Sequence, residues 1–292
     1  MSLTATTQWE LPNSPHTPKT TIPCIGYGVY NAAGHSSILT ALQQGYRLLD
    51  TAQLYENEAE VGHAVISCGL PRSELFIITK IGDPKGGVEE TLESLRDSVR
   101  KSSGTKGKWE GGEGYVDLFL IHNPLSGPEG RKILWQALEK LRAEGSTREI
   151  GVSNYGINHI KELLTYASHP PVINQLELHP FCPQLALASF CASHNILLQA
   201  YSPLVRARKM DDPTLVSIAQ AHNVTPAQVL VRWSLQKGWI PLPKSDDPER
   251  IRLNREVFGW ALTEEEMAEI EKLGVGMEDG QGAVCPYLVH VP

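Results

Sequence analysis

Four polar side chains of the sequence are of types that together could move a proton. Asp50 follows the apolar run RLL, Lys80 follows FIIT, His122 follows LFLI, and Tyr55 stands in the segment DTAQLY that begins at Asp50. The unperturbed pKa of tyrosine is about 10, but a neighbouring ammonium stabilises the phenolate and lowers that value. Lys80 could supply the ammonium, which Asp50 could hold charged and oriented. With His122 orienting a substrate oxygen or joining a proton relay, these residues predict general acid–base chemistry without a metal.

Each of these residues also has an ordinary structural explanation. A single Asp, Lys or His at the end of a strand is more often a helix cap, a surface charge or a hydrogen-bonded core residue. The chemical interpretation therefore requires the strand ends to converge on one rim of the fold.

The pattern of elements predicts such a rim. Short runs rich in Val, Ile, Leu and aromatic residues alternate with helical patterns, and strand-then-helix units imply parallel pairing. One helical pattern opens with Thr225 as the cap, Pro226 at the first helical position and Gln228 closing a capping box. At 292 residues the sequence predicts an α/β fold, a (β/α)8 TIM barrel whose active site lies at the C-terminal ends of its strands, with a doubly wound open sheet as the alternative. The eight runs are CIGYGVY, YRLLDTA, LFIITK, VDLFLIHN, REIGVSN, VINQLEL, ILLQAYSP and WIPLPKS.

The predicted barrel is one domain over residues 1–292 and carries three additions. Residues 1–22 form an N-terminal extension, and residues 274–292 form a C-terminal tail; each could cover one end of the barrel. Residues 102–114, SSGTKGKWEGGEG, are rich in glycine and charge and predict a flexible insertion before the fourth strand, at the rim opposite the active site. A tail over the catalytic rim would help to set substrate specificity.

Composition excludes several classes of protein. The formal net charge of -7 and a pI near 5.8 argue against a broad basic surface for nucleic acid, so any bound phosphate must be met by a local basic pocket. We find no secretory signal pattern and no apolar run of membrane-spanning length, and we therefore expect a soluble, cytoplasmic protein without a nucleic-acid or membrane partner. The five cysteines are well separated and lack CxxC spacing, which predicts buried free thiols.

Three familiar motifs are absent or incomplete. The segment from Gly26 to Asn31 lacks the third glycine of GxGxxG, which argues against a Rossmann site. Tyr155 stands where the nucleophile elbow GxSxG requires glycine, which argues against a hydrolase. No HExxH or other histidine ligand spacing is present, so no metal site is predicted.

Seven segments occur in the order and spacing of one known family: DTAQLYENEAEVG, ITK, YVDLFLIH, IGVSN, NQLELHP, AYSPL and PLPKS. Through them the chain resembles the aldo-keto reductases from about Gly26 to Asn254. That family is a (β/α)8 barrel that binds NAD(P)H across its C-terminal rim without a Rossmann fold and reduces aldehydes and ketones. The resemblance implies a catalytic tetrad, all of whose members are present, which argues against a relative that has lost its chemistry. The tetrad is Asp50, Tyr55, Lys80 and His122.

The resemblance also implies a cofactor site along the rim. Ser153, Asn154 and Gln175 would bind the nicotinamide carboxamide, and Tyr201 would stack on the nicotinamide ring. Ser202 and Leu204 would hold the pyrophosphate, and Lys244, Ser245 and Arg250 would hold the 2′-phosphate. Asn254 would contact the adenine, and Gly28 and Val29 are the remaining predicted cofactor contacts.

Lysine and arginine near the 2′-phosphate favour NADPH over NADH, because charge-assisted hydrogen bonds to phosphate are strong. No acidic residue is found that would bind the ribose hydroxyls of NADH, which also makes NADH the less favoured cofactor. The alternative is a solvated KSDDPER loop, in which Asp246, Asp247 and Glu249 reduce the positive charge.

Departures from the family pattern lie in the predicted substrate pocket and at the adenine end of the cofactor site. Asn123 stands where many relatives carry Trp, Tyr30 replaces another frequent Trp, and Val205 follows SPL where glycine is common. Leu253 replaces a frequent Glu beside the adenine. The candidates for substrate contact are Tyr30, Asn123, Val205, Arg206 and Tyr287.

The sequence thus predicts an NADPH-dependent carbonyl reductase, of the alcohol dehydrogenase type, in which Tyr55 is the general acid. Its partner would be a small carbonyl compound, and a monomer is the expectation from the family. The alternative is an NADPH-binding regulatory subunit on the same barrel, with little turnover.

Overall fold

A computed structural model describes residues 3–104, 114–276 and 282–285 of the chain. In this described part, eight strands form one parallel sheet in which each strand pairs with the next along the chain. An antiparallel hairpin of β1 (Gln8–Glu10) and β2 (Thr21–Pro23) precedes them. The sheet strands are β3 (Tyr27–Gly28), β4 (Leu48–Asp50), β5 (Phe76–Ile81), β6 (Val116–Ile121), β7 (Thr147–Ser153), β8 (Ile173–Glu177), β9 (Leu197–Tyr201) and β10 (Ile240–Pro241).

The first and last strands of the sheet meet and close the ring. The backbone N–H of Gly26 donates to the carbonyl of Pro241 at 3.0 Å, and that of Gly28 donates to the carbonyl of Pro243 at 3.2 Å. A Cβ at Gly26 would lie 2.3 Å from Leu48 Cδ2 and 2.7 Å from Leu242 Cδ2, so a larger residue would force these buried side chains to move. The sheet is therefore a closed barrel, which confirms the predicted (β/α)8 fold over the open-sheet alternative.

The helices surround the barrel and follow its strands. As predicted, Thr225 begins the helix over Pro226–Gln236, because its Oγ1 accepts from the Gln228 N–H while Gln228 Oε1 accepts from the Thr225 N–H. No helix in the described ranges has the length and apolar composition needed to cross a membrane. The ten α-helices of the described residues are α1 (His35–Gln43), α2 (Glu58–Ser67), α3 (Val88–Ser102), α4 (Gly127–Ala143), α5 (Ile157–Leu163), α6 (Leu185–Ser193), α7 (Pro213–His222), α8 (Pro226–Gln236), α9 (Pro248–Leu253) and α10 (Glu264–Glu271).

Alternate residues of each strand point to the barrel interior or to the helices. Leu48, Ile78 and Leu120 belong to the interior cluster, whereas Leu49 and Ile77 belong to the outer cluster with the helices. The interior face of each strand is thereby defined, and a polar residue two positions further along lies on the same face.

The β1–β2 hairpin covers the N-terminal end of the barrel. Leu11 and Ile22 are both fully buried, and they pack with strand residues of the interior cluster. The sequence predicted an extension here, and the structure shows that it forms a hairpin. Of the predicted insertion, residues 105–113 lie outside the described residues.

Candidate active site

Strand alternation brings three of the four predicted catalytic side chains into the barrel interior. Asp50 lies two residues after Leu48 on β4, Lys80 two after Ile78 on β5, and His122 two after Leu120, immediately beyond β6. Each therefore points inward at the C-terminal end of its strand. A short 3₁₀ helix, Gln53–Tyr55, follows β4 and returns Tyr55 to the same rim.

Lys80 joins the members of this group. Its side chain is fully buried, and Nζ donates to Asp50 Oδ2 at 2.7 Å and to the Thr51 carbonyl at 2.9 Å. Nζ also lies 3.4 Å from the Tyr55 hydroxyl. Burial lowers the pKa of Lys80, while the charge of Asp50 and the hydrogen bond to it act in the opposite direction. The arrangement places a buried cation within reach of a tyrosine hydroxyl.

His122 completes the group from the other side of Tyr55. The two rings meet edge to face with centroids 5.6 Å apart, and Tyr30 packs against the Tyr55 ring at 5.0 Å. Burial, and then the nearby charge of Lys80, lowers the pKa of His122 to about 3. His122 is therefore neutral near pH 7 and can orient a ligand oxygen by donating a hydrogen bond.

These residues open onto a cavity of about 450 Å³ at the C-terminal rim. It brings together most of the predicted site: Gly28, Tyr30, Asp50, Tyr55, His122, Ser153, Asn154, Gln175, Tyr201, Ser202, Leu204, Arg206 and Lys244.

Three predicted contacts of the nicotinamide form one hydrogen-bonded chain. Asn154, held at a φ of 61°, donates from Nδ2 to the His122 carbonyl at 2.9 Å and to Ser153 Oγ at 3.0 Å. Its Oδ1 accepts from the Tyr201 hydroxyl at 2.9 Å. Burial holds the pKa of Tyr201 well above its usual value, so this hydroxyl stays protonated as a donor.

Gln175 connects this chain to the buried ion pair. Its Nε2 donates to Asp50 Oδ1 and to Gln199 Oε1, both at 2.7 Å. Asp50 thus accepts from Lys80 with one oxygen and from Gln175 with the other. Gln175 Oε1 accepts no hydrogen bond within the described chain and is available to a donor such as a carboxamide NH2.

The residues predicted for a 2′-phosphate lie beyond β10. Lys244 Nζ pairs with Asp246 and donates to the Asn31 carbonyl at 2.7 Å. Arg250 is 73% exposed, with its Nε 3.9 Å from Asp247 Oδ1. Ser245 and the buried Asn254 lie in the same segment but do not line the rim cavity. The charge of Lys244 is thus partly neutralised by Asp246, whereas the side chain of Arg250 projects into solvent.

Several predicted contacts lie away from the cavity. Val29 and Val205 are fully buried or nearly so and pack in the outer core, so their side chains are not placed for contact with a ligand. Asn123 Oδ1 accepts from the Leu125 N–H at 3.0 Å and so stabilises a turn. Tyr287 lies outside the described residues.

Sequence reasoning missed five lining residues. Asn31 and Leu54 adjoin predicted ones, and Pro203 lies between two of them, so their neighbours gave a usable signal. For Leu242 and Cys285 no such signal was present in the sequence. Leu242 reaches the cavity because the barrel closes, and Cys285 reaches it through the path of the C-terminal tail.

A buried carboxylate at the end of β8 was also missed. Glu177 is fully buried, and its two oxygens accept from the backbone N–H groups of Val284 and Cys285 and from His179 Nε2. The thiol of Cys285 accepts from Arg206 Nη2 at 2.9 Å. Glu177 therefore holds this part of the C-terminal tail beside the cavity. Within the described residues, no three His, Cys, Asp or Glu side chains are grouped so that they could hold a metal ion.

Comparison with known proteins relates the chain to one family. A family model described as the Aldo/keto reductase family matches residues 36–275. An aldo-keto reductase of Mycolicibacterium vanbaalenii is 42% identical over 88% of this chain and 90% of its own length. A glyoxal reductase of Bacillus subtilis is 38% identical over 86% of this chain and 89% of its own. The crystal structure of a Bombyx mori aldo-keto reductase in complex with NADP has a TM-score of 0.81 at 30% identity, covering 93% of this chain and 94% of that one.

Proposed function

Because the chain belongs to the aldo/keto reductase family, we propose that it is an NADPH-dependent reductase of small aldehydes or ketones, with Tyr55 as its general acid. One observation carries the proposal: a fully buried lysine lies between a carboxylate, 2.7 Å away, and a tyrosine hydroxyl, 3.4 Å away, at the edge of a rim cavity. The names of two relatives support it, since one is a glyoxal reductase and another was solved with NADP.

The residues of the rim fit a nicotinamide cofactor. Gln175 Oε1 is free to accept from a carboxamide NH2, and the Tyr201 ring lines the cavity beside it. Lys244 lines the same cavity, and the exposed guanidinium of Arg250 is available for a bidentate contact with phosphate. When bound, NADPH supplies a hydride to the carbonyl carbon.

Tyr55 provides the proton that the reduced oxygen needs. Its hydroxyl donates toward the substrate oxygen, and the Lys80 ammonium stabilises the phenolate that remains. Asp50 keeps Lys80 charged and oriented, and Gln175 holds the second oxygen of that carboxylate. His122, neutral near pH 7, orients the substrate oxygen without supplying the proton.

The change Tyr55→Phe tests this assignment, because it removes the transferable proton and leaves the ring in place. We expect kcat to fall by about 10²- to 10⁴-fold, with the affinity for NADPH within about twofold of that of the parent chain. The assay follows NADPH absorbance with aromatic aldehydes, aliphatic aldehydes, sugars and diketones, and fluorescence quenching reports binding.

Tyr115→Phe is the matched control, since Tyr115 packs against Arg72 and does not line the rim cavity. Unchanged turnover in Tyr55→Phe would refute the general acid assignment. NADPH binding without turnover of any carbonyl compound in the parent chain would instead support a cofactor-binding regulatory protein.

A further inference from the structure

A second cavity, of about 500 Å³, lies at the opposite end of the barrel from the proposed active site. One wall comes from the β1–β2 hairpin and the residues just before it. The others come from the segments that lead into β4 and β5, from Arg148 in β7 and from Arg255, which follows α9. The cavity therefore lies between one part of the hairpin and the N-terminal ends of some of the strands. Nothing in the proposed reaction uses it.

The cavity is basic although the whole chain carries a net charge of -7. Arg47, Arg148 and Arg255 line it, and Glu74 is the single acidic residue among its described lining residues. The side chain of Glu74 forms no hydrogen bond or ion pair with the described residues and lies at the exposed edge of the cavity. Positive charge thus exceeds negative charge along its walls.

Carboxylates offset only part of the positive charge of these arginines. Asp117 accepts from Arg148 with one oxygen at 3.0 Å and from Arg72 with the other at 2.7 Å, so one carboxylate is shared between two guanidinium groups. Arg47 donates from Nη1 to the carbonyls of Leu42 and Tyr46, which are neutral acceptors. Arg47 therefore has no carboxylate partner among the described residues.

Arg255 is the lining arginine that most clearly lacks an anionic partner among the described residues. Its Nε is fully buried and unpaired, and no hydrogen bond or ion pair joins its guanidinium to any described residue. The group lies flat against Gly45, where a Cβ would stand 2.8 Å from Arg255 Cζ and where φ is +92°. A side chain at position 45 would therefore be strained and would press on the guanidinium, which lies partly buried beside the cavity. Burial, together with the charge of Arg47, lowers the pKa of Arg255, as expected for two cations close together.

A partly buried guanidinium that has no anionic partner favours the binding of an anion, which supplies charge-assisted hydrogen bonds. We propose that this cavity binds a small tetrahedral oxyanion, phosphate or sulfate, free or as the phosphate group of a small ester, through Arg255 and Arg47. Hydroxyl groups of Thr7, Thr21 and Ser73 line the same space and can donate to the remaining oxygens. A bound anion would join the hairpin to the barrel and stabilise the folded chain without entering the active site.

Thermal unfolding at constant ionic strength tests the proposal, with inorganic phosphate or glycerol 3-phosphate replacing chloride. The melting temperature of the parent chain should rise by roughly 5 °C at phosphate concentrations about 100 times Kd. Arg255→Gln and Arg47→Gln should each raise Kd for phosphate by about tenfold or more. Preference for the ester over free phosphate would identify an ester as the better ligand.

Arg252→Gln is the matched control, because Arg252 is a nearby arginine that is already paired with Glu249 and Glu256. It should bind phosphate as the parent chain does. The proposal would be overturned if phosphate did not raise the melting temperature, or if it raised the melting temperature equally in all variants. It would also be overturned if the rise were lost in Arg250→Gln but kept in Arg255→Gln, because the anion would then bind at the opposite rim of the barrel. If Arg255→Gln does not fold, Arg47→Gln decides between the same outcomes.

Discussion

At the scale of single residues, the proposed active site depends on which charges are buried and which are exposed. Lys80 and Asp50 are buried together, and His122 is buried next to them and held neutral. Arg250, at the far end of the rim, keeps its charge in water. These differences lead to two predictions, one on stability and one on cofactor choice.

His122 should make the folded chain sensitive to mild acid. Its pKa is about 3 in the folded chain and about 6.5 in an unfolded one, so the unfolded state binds more protons as pH falls below 6.5. The stabilisation is therefore complete above pH 6.5 and is lost as pH falls toward 3. From pH 7 to pH 5 we expect His122 to reduce the free energy of unfolding by about 2 kcal/mol.

Urea unfolding at pH 7 and pH 5 measures this effect in the parent chain and in His122→Asn. The variant should lose about 2 kcal/mol less between the two pH values. His63→Asn, at an exposed position of α2, should behave as the parent chain does. Equal losses in all three proteins would contradict the prediction.

Arg250→Ala should separate the two nicotinamide cofactors. We expect Kd for NADPH to rise by about 10- to 100-fold, and Kd for NADH to change by less than about threefold, because only NADPH carries the 2′-phosphate. Fluorescence titration with each cofactor measures both constants, and Arg252→Ala, which changes an arginine paired with Glu249 and Glu256, serves as the control. Similar losses for NADPH and NADH would place the 2′-phosphate elsewhere.

At the scale of elements, the ends of the strands do more than present catalytic groups. The end of β8 also carries Glu177, whose buried carboxylate accepts from two backbone N–H groups of the tail. The tail in turn brings Cys285 to the wall of the cavity beside Arg206. One strand end therefore connects the barrel to a segment distant in sequence.

Glu177→Gln should loosen this contact. An amide offers one acceptor oxygen where the carboxylate offers two, and charge-assisted hydrogen bonds become neutral ones. We expect amide hydrogen exchange at Val284 and Cys285 to accelerate by about 10-fold or more, with KM for the carbonyl substrate raised as well. Glu271→Gln, which changes an exposed ion pair with Lys237, should alter neither quantity. Unchanged exchange at both amides would show that Glu177 does not hold the tail.

At the scale of the whole molecule, one end of the barrel is closed by a hairpin and the other carries the proposed active site. Leu11 and Ile22 fill the N-terminal end of the interior. Polar side chains, Asp50 and Lys80 among them, take the place of apolar ones at the C-terminal end. Stability and chemistry are thus assigned to opposite ends of the same barrel.

Ile22→Ala should test how far the hairpin stabilises the barrel. The side chain is fully buried, and its removal should lower the free energy of unfolding by about 2–5 kcal/mol, through lost burial and the cavity left behind. Urea unfolding measures the change. Ile66→Ala, at a position that is 66% exposed, should stay within about 0.5 kcal/mol of the parent chain. A loss for Ile22→Ala as small as that of the control would mean that the hairpin is not part of the core.

Local patterns in the sequence were enough to locate the strands of the barrel and the polar residues at their ends, but not the β1–β2 hairpin. Strand alternation depends on positions two residues apart, and the Thr225 capping box on residues three apart, so both can be predicted without a fold. The same alternation places Asp50, Lys80 and His122 on the inner face once the barrel closes. The structure brings these side chains together with Tyr55, and their catalytic roles stay predictions that activity measurements test.

Tertiary structure alone decided which distant groups meet. The hydrogen bond between Gln175 and Asp50 spans 125 positions in the chain, and the contact between Glu177 and Cys285 spans 108. The burial of Val205 and the unpaired guanidinium of Arg255 likewise follow from the packing of segments that share no local pattern. The sequence therefore determined the strand–helix units and the candidate chemistry at the ends of the strands. The closure of the ring and the paths of the hairpin and tail decided the rest, because such contacts depend on chain geometry that no short window of residues contains.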